Sequence, residues 1–92
     1  MPEETQPPVR AMRIKVTFYS YFKDLTGCSE VEEELPDRST VRELVERLEE
    51  RFPKLLAMRK STLIAVGLDY VARDYPLKER DEVSLFPPVQ GG

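Results

Sequence analysis

Thr40-Val41-Arg42-Glu43-Leu44-Val45-Glu46-Arg47-Leu48-Glu49-Glu50-Arg51-Phe52 carries one continuous apolar stripe. Val41, Leu44, Val45, Leu48 and Phe52 recur at helical spacing, with charged residues between them. That pattern predicts an amphipathic helix with one face against a core. Thr40 followed by Glu43 has the form of a capping box, in which two end donors are satisfied reciprocally. Glu43 and Arg47 are placed for an i, i+4 ion pair. Pro53 marks the end.

One such helix needs a single apolar sheet face to cover, and the flanking segments supply it. Upstream, Arg13–Tyr19 alternates, with Ile14, Val16 and Phe18 on one face and Lys15, Thr17 and Tyr19 on the other. This predicts a half-buried strand. Ser20–Gly27 reads as a short helix with Ser20 able to cap and Gly27 able to stop it. Ser29–Leu35 reads as a second strand, with Val31, Glu33 and Leu35 on its inner face. Its outer face is acidic, which suits an edge strand because charge discourages pairing with another chain.

Downstream, Lys54–Ser61 reads as irregular or as a short helical turn. Thr62–Val66 reads as a strand, Gly67-Leu68-Asp69 as a turn, and Tyr70–Ala72 as the return strand. Leu77 is expected to anchor a polar turn region around Pro76. Glu82–Phe86 reads as the last strand, with Val83 and Leu85 inward and Ser84 and Phe86 outward. The order is strand, short helix, strand, long helix, then three strands. It predicts an α+β domain of the β-grasp (ubiquitin-like) type, a mixed sheet of about five strands packed on one main helix. The expected organisation is a flexible N-terminal extension at 1–12, where Pro2, Pro7 and Pro8 punctuate a polar lead. The domain follows at 13–86, with an extended tail at 87–92.

Composition narrows the chemistry. The chain has 92 residues, enough for one domain with its own core. It has no His and one Cys, which leaves no His-based triad, no His metal ligand and no internal disulfide. A net charge of −3 argues against general binding to nucleic acid or anionic membranes. No apolar run approaches the length of a membrane span, and the residues after Met1 lack a signal peptide's order. A lone thiol fits a reducing, cytoplasmic setting. What remains is a binding module, a carrier, or a subunit completing another protein's site.

The last six residues, Pro87-Pro88-Val89-Gln90-Gly91-Gly92, carry the functional signal. The prolines lack ladder donors and favour a stiff, extended exit from the sheet. Two glycines then make a tip narrow enough to thread a channel. A terminal carboxylate on Gly92, with Gly91 behind it, is a group that ATP can activate as an acyl adenylate. By the same reading Tyr19, Leu63 and Phe86, together with Thr17 and Ala65, form the outer sheet face beside the tail.

The ending Asp81-Glu82-Val83-Ser84-Leu85-Phe86-Pro87-Pro88-Val89-Gln90-Gly91-Gly92 resembles that of the MoaD family, the sulfur-carrier subunits of molybdopterin synthase, within the wider MoaD/ThiS group. Ile14–Tyr19, Phe22–Gly27, Thr40–Leu44 and Leu63–Val66 are similar to the family's first strand, short helix, main helix start and central strand. The resemblance implies that an E1-like (MoeB-like) enzyme adenylates Gly92 with ATP. A sulfur donor then makes a thiocarboxylate, and the carrier docks on a MoaE-like large subunit in a heterotetramer, which makes Tyr19, Leu63, Phe86, Pro87, Pro88, Val89 and Gln90 the implied partner-binding residues. Sulfur passes to the pterin precursor of the molybdenum cofactor. No cofactor or metal is implied on the chain itself. Two other outcomes stay open: a carrier for thiamine, cysteine or tRNA thiolation or a ubiquitin-like modifier, and an interaction module with an inert tail.

Two positions depart from the family pattern. Arg80 stands where Gly is common, so that turn either avoids positive φ or strains Arg80. Gly67 stands where Asn is common. Among single features, Cys28 follows a helix end rather than a helix N-terminus, and is expected to be structural. Glu32 and Glu34 point away from Glu33, so the acidic run does not converge on a metal. Lys23 and Arg73 are expected as solvated rim charges.

Overall fold

The computed structural model describes residues 11–88. Its elements are β1 (Ala11–Phe18), α1 (Phe22–Thr26), β2 (Glu30–Pro36), α2 (Val41–Arg51), a 3-10 helix (Pro53–Ser61), β3 (Leu63–Val66), β4 (Asp69–Tyr70) and β5 (Glu82–Phe86). The sheet order is β2-β1-β5-β3-β4. β1 and β5 run parallel and every other pair is antiparallel. This is the β-grasp arrangement, with β2 on one edge and the two-residue β4 on the other.

α2 forms where the stripe predicts. Val41, Leu44 and Leu48 are fully buried, with Val45 close behind. They meet Ile14, Val16, Phe18, Leu35, Val83 and Leu85 in one apolar cluster that also takes in Phe22, Leu55 and Leu77. Glu43 Oε1 accepts from the Thr40 backbone N–H at 2.6 Å and from its hydroxyl at 3.3 Å. The expected Glu43–Arg47 pair is absent because each side chain has another partner. Arg47 donates to the Glu34 carbonyl at 3.0 Å and Arg51 to the Glu32 carbonyl at 3.3 Å. These acceptors lie on edge strand β2, so the helix caps that edge with arginines.

The structure corrects several boundaries. β1 begins at Ala11, not Arg13, and Met12 is buried beside Ile14. Only residues 1–10 of the expected extension lie outside the described residues. Ser20 does not cap α1; it takes a left-handed φ of 57° and turns the chain after Tyr19. Gly27 stops the helix at φ 77°, its N–H bonded to the Lys23 carbonyl. The return strand is Asp69–Tyr70, one residue earlier than expected, closed by a two-residue loop with Gly67 at φ 61°.

Two acidic side chains are inside. Glu33 pairs with Arg51, and Glu49 accepts from Arg59, whose Nε lies 3.1 Å from Oε2. The hydrogen bond and charge of Glu49 raise the Arg59 pKa further above its ordinary value. Each buried carboxylate therefore meets a guanidinium, as burial of charge demands.

Arg80 resolves its alternative on the strained side, with φ 69° and an exposed side chain. Its backbone N–H bonds to the Arg13 carbonyl at 3.0 Å, which holds the turn. An L-residue in this region costs about 1–2 kcal/mol, offset in part by the entropy glycine would lose. Arg80→Gly is expected to stabilise the domain by about 0.5–1 kcal/mol. At about 4–8 °C per kcal/mol for a domain this size, a thermal melt resolves it. An unchanged or lower midpoint would show the turn to be unstrained.

Candidate functional site

The open face of the sheet, opposite α2, carries the outward residues of every strand. Pairing register places Leu63 opposite Phe86, and Ala65 opposite both Ser84 and Tyr70. On the other side Thr17 lies opposite Ser84. Tyr19 follows the end of β1 and its N–H bonds to the Leu85 carbonyl at 3.1 Å. That contact sets its ring flat on Phe86, with centroids 4.8 Å apart and planes 7° from parallel. Tyr70 meets the other side of Phe86 edge-on at 6.1 Å. Such pairs are favoured by the ring quadrupole beyond their area burial.

Tyr19, Leu63 and Phe86 are thus brought together in one aromatic and apolar row. Phe86 is its centre, and the next residues are Pro87 and Pro88, half-buried and out of any strand. The tail therefore leaves the sheet from the middle of the row. Val89, Gln90, Gly91 and Gly92 lie outside the described residues. Thr17 is half-buried, and Ala65 is buried on the open face between Tyr70 and Ser84.

Two contributors escaped the sequence reading. Tyr70 is 68% exposed on β4, and Leu68 is wholly exposed at the tip of the β3–β4 loop. A two-residue strand carries no periodicity, so nothing in the local pattern assigns Tyr70 a face. Exposed aromatic and aliphatic groups gathered beside a tail are the ordinary makings of a protein interface.

The other half of the open face is charged. Arg13 pairs with Glu34 at 3.8 Å, Lys15 with Glu30 at 3.7 Å and Arg80 with Glu79 at 3.9 Å, all exposed. Pairs of this kind contribute little to stability, about 0–1 kcal/mol each. Arg73 is not on this face: its guanidinium donates to the Arg59 carbonyl, and its own carbonyl accepts from the Arg42 N–H beside α2. Lys23 is exposed on α1. Cys28 is half-buried against the core, with its sulfur beside Thr26. Among the described residues no group of three or more acidic or thiol side chains is placed to hold a metal. No helix there is long and apolar enough to cross a membrane.

The chain is 36% identical to the molybdopterin synthase sulfur carrier subunit of Escherichia coli (strain K12), over 86% of this chain and 99% of that protein. Among solved structures, it is 34% identical to a Pyrococcus furiosus protein provisionally named molybdopterin converting factor, subunit 1. That match has a TM-score of 0.75 and covers 85% of this chain and 99% of the other. A complex of subunits 1 and 2 of molybdopterin-converting factor from Helicobacter pylori 26695 matches at 26% identity and TM-score 0.66, over 88% of this chain and 100% of that one. A model of the ThiS family matches residues 16–92, from the second half of β1 through the diglycine, and the chain belongs to that family.

Proposed function

We propose that this chain is the sulfur-carrier subunit of a molybdopterin synthase, working in the cytoplasm. The observation that carries the reading is the root of the tail: Phe86 is both the centre of the exposed aromatic row and the last strand residue before Pro87. A partner that covers the row receives the tail at a fixed take-off point. The curated likeness to the Escherichia coli carrier over nearly all of that protein supports the same reading.

The Gly92 carboxylate attacks the α-phosphorus of ATP on an E1-like enzyme, releasing pyrophosphate and leaving an acyl adenylate. A sulfur donor displaces AMP to leave a thiocarboxylate. The carrier then docks through Tyr19, Leu63 and Phe86 on a large subunit, with Pro87–Gln90 reaching into that subunit's pocket. The Helicobacter pylori complex of subunits 1 and 2 supports such a partner. The assembly we propose is a heterotetramer, two carriers on a dimer of large subunits. The absence of His fits a carrier whose role is to present its tail, with the catalytic groups supplied by the partner.

The test is reconstitution of the thiocarboxylated chain with a molybdopterin synthase large subunit and the cyclic pterin precursor. One dithiolene product for every two thiocarboxylated chains consumed is expected, because each chain delivers a single sulfur. Failure to transfer sulfur, with attachment of the chain to protein lysines in an extract instead, would assign it to the modifiers. Failure of the chain to gain sulfur beforehand, when given ATP, an E1-like enzyme and a sulfur source, would leave an interaction module.

A further inference from the structure

We propose that the charged cleft beside the aromatic row receives an arginine or lysine side chain from the same large-subunit surface that covers Phe86. The inference rests on the proposed function and adds the chemistry of the partner. The cleft is lined by Arg13, Lys15, Glu32, Glu79, Arg80 and Glu82. Its three cations each have an anionic neighbour: Arg13 has Glu34, Lys15 has Glu30 and Arg80 has Glu79. Glu32 and Glu82 are left over. Both stand opposite Lys15 in register, one on β2 and one on β5, yet the Lys15 ammonium reaches Glu30. Neither carboxylate has an ion-pair partner among the described residues.

The two carboxylates therefore flank β1 on the same open face as Phe86. From Glu82 to Phe86 along β5 is four residues, about 13 Å at strand rise. A single standard-sized interface spans that distance easily. Partners that bury such a face place complementary charge against it, and that charge acts mainly on association rate and register. The fitting partner surface is an apolar pocket for Phe86 with a basic side chain roughly that far along the strand direction.

The experiment compares association kinetics with the large subunit at low and high salt. Three proteins are measured: wild type, Glu32→Gln/Glu82→Gln, and Glu46→Gln/Glu50→Gln. The last pair is exposed on α2, away from the open face, and matches the charge change. The cleft variant is expected to associate about tenfold more slowly at low salt, with a shallower salt dependence, while the helix variant stays near wild type. Equal effects in both variants would reduce the cleft to net charge and overturn the proposal, as would no effect in either. If wild type does not bind the large subunit, the function itself is wrong and this partner falls with it.

Discussion

Deleting Gly92 is expected to abolish sulfur transfer while leaving the fold and the docking affinity unchanged. The variant still ends in glycine, because Gly91 becomes terminal. Its carboxylate is the same chemical group, so the deletion changes reach alone. One residue of extended chain is about 3.5 Å. Misplacing reacting atoms by about 1 Å can cost around 100-fold, so a shortfall of several takes turnover to background. Stability is insulated because β5 ends at Phe86, and the core contributors Val83 and Leu85 lie upstream. The shortened chain should also compete with wild type for the large subunit, since the aromatic row is intact. Intact mass after incubation with ATP, an E1-like enzyme and a sulfur source reads the first step, where one oxygen is replaced by sulfur only in wild type. Competition in the reconstituted synthase reads docking. Normal transfer by the shortened chain would remove the Gly92 carboxylate from the mechanism.

The sequence was most legible where one physical rule acted alone. The stripe of α2 and the alternation of β5 needed only burial against a sheet, and both elements fall where periodicity places them. It was less legible where tertiary partners competed. Glu43 and Arg47 have ideal spacing for each other, but the helix end and the β2 carbonyls took them. Glu49 lies beside the stripe, four residues after Val45, and its burial depends on Arg59 from the following 3-10 helix. No local pattern announces that pairing. The aromatic row was half legible for the same reason. Alternation gives Tyr19 and Phe86 an outward face, but their stacking follows from the parallel pairing of β1 with β5, which joins residues far apart in sequence. Met12 was lost to its neighbourhood, where prolines obscured the strand's first turn of alternation.

Leu85→Ala and Phe86→Ala are expected to fail in opposite ways, although the residues are adjacent. Leu85 is 2% exposed and sits in the apolar cluster beneath α2. Truncating it removes buried methyl groups and leaves a void, costing about 3 kcal/mol. At about 4–8 °C per kcal/mol the melting midpoint falls by well over 10 °C. Any protein that stays folded should dock normally, because Leu85 faces the core and not the aromatic row. Phe86 points the other way and is only half-buried. Its loss leaves the core intact and costs little stability. It does strip the stacking partner from Tyr19 and the edge contact from Tyr70, taking the centre out of the row. Central aromatic anchors typically cost 2 kcal/mol or more on truncation, about 30-fold in affinity. Calorimetric titration against the large subunit, run beside thermal melts, separates the two effects. Wild-type affinity in Phe86→Ala would move the docking surface off the open face of the sheet. A large loss of affinity in folded Leu85→Ala would show that the row depends on the core beneath it, since β5 carries both side chains on one backbone.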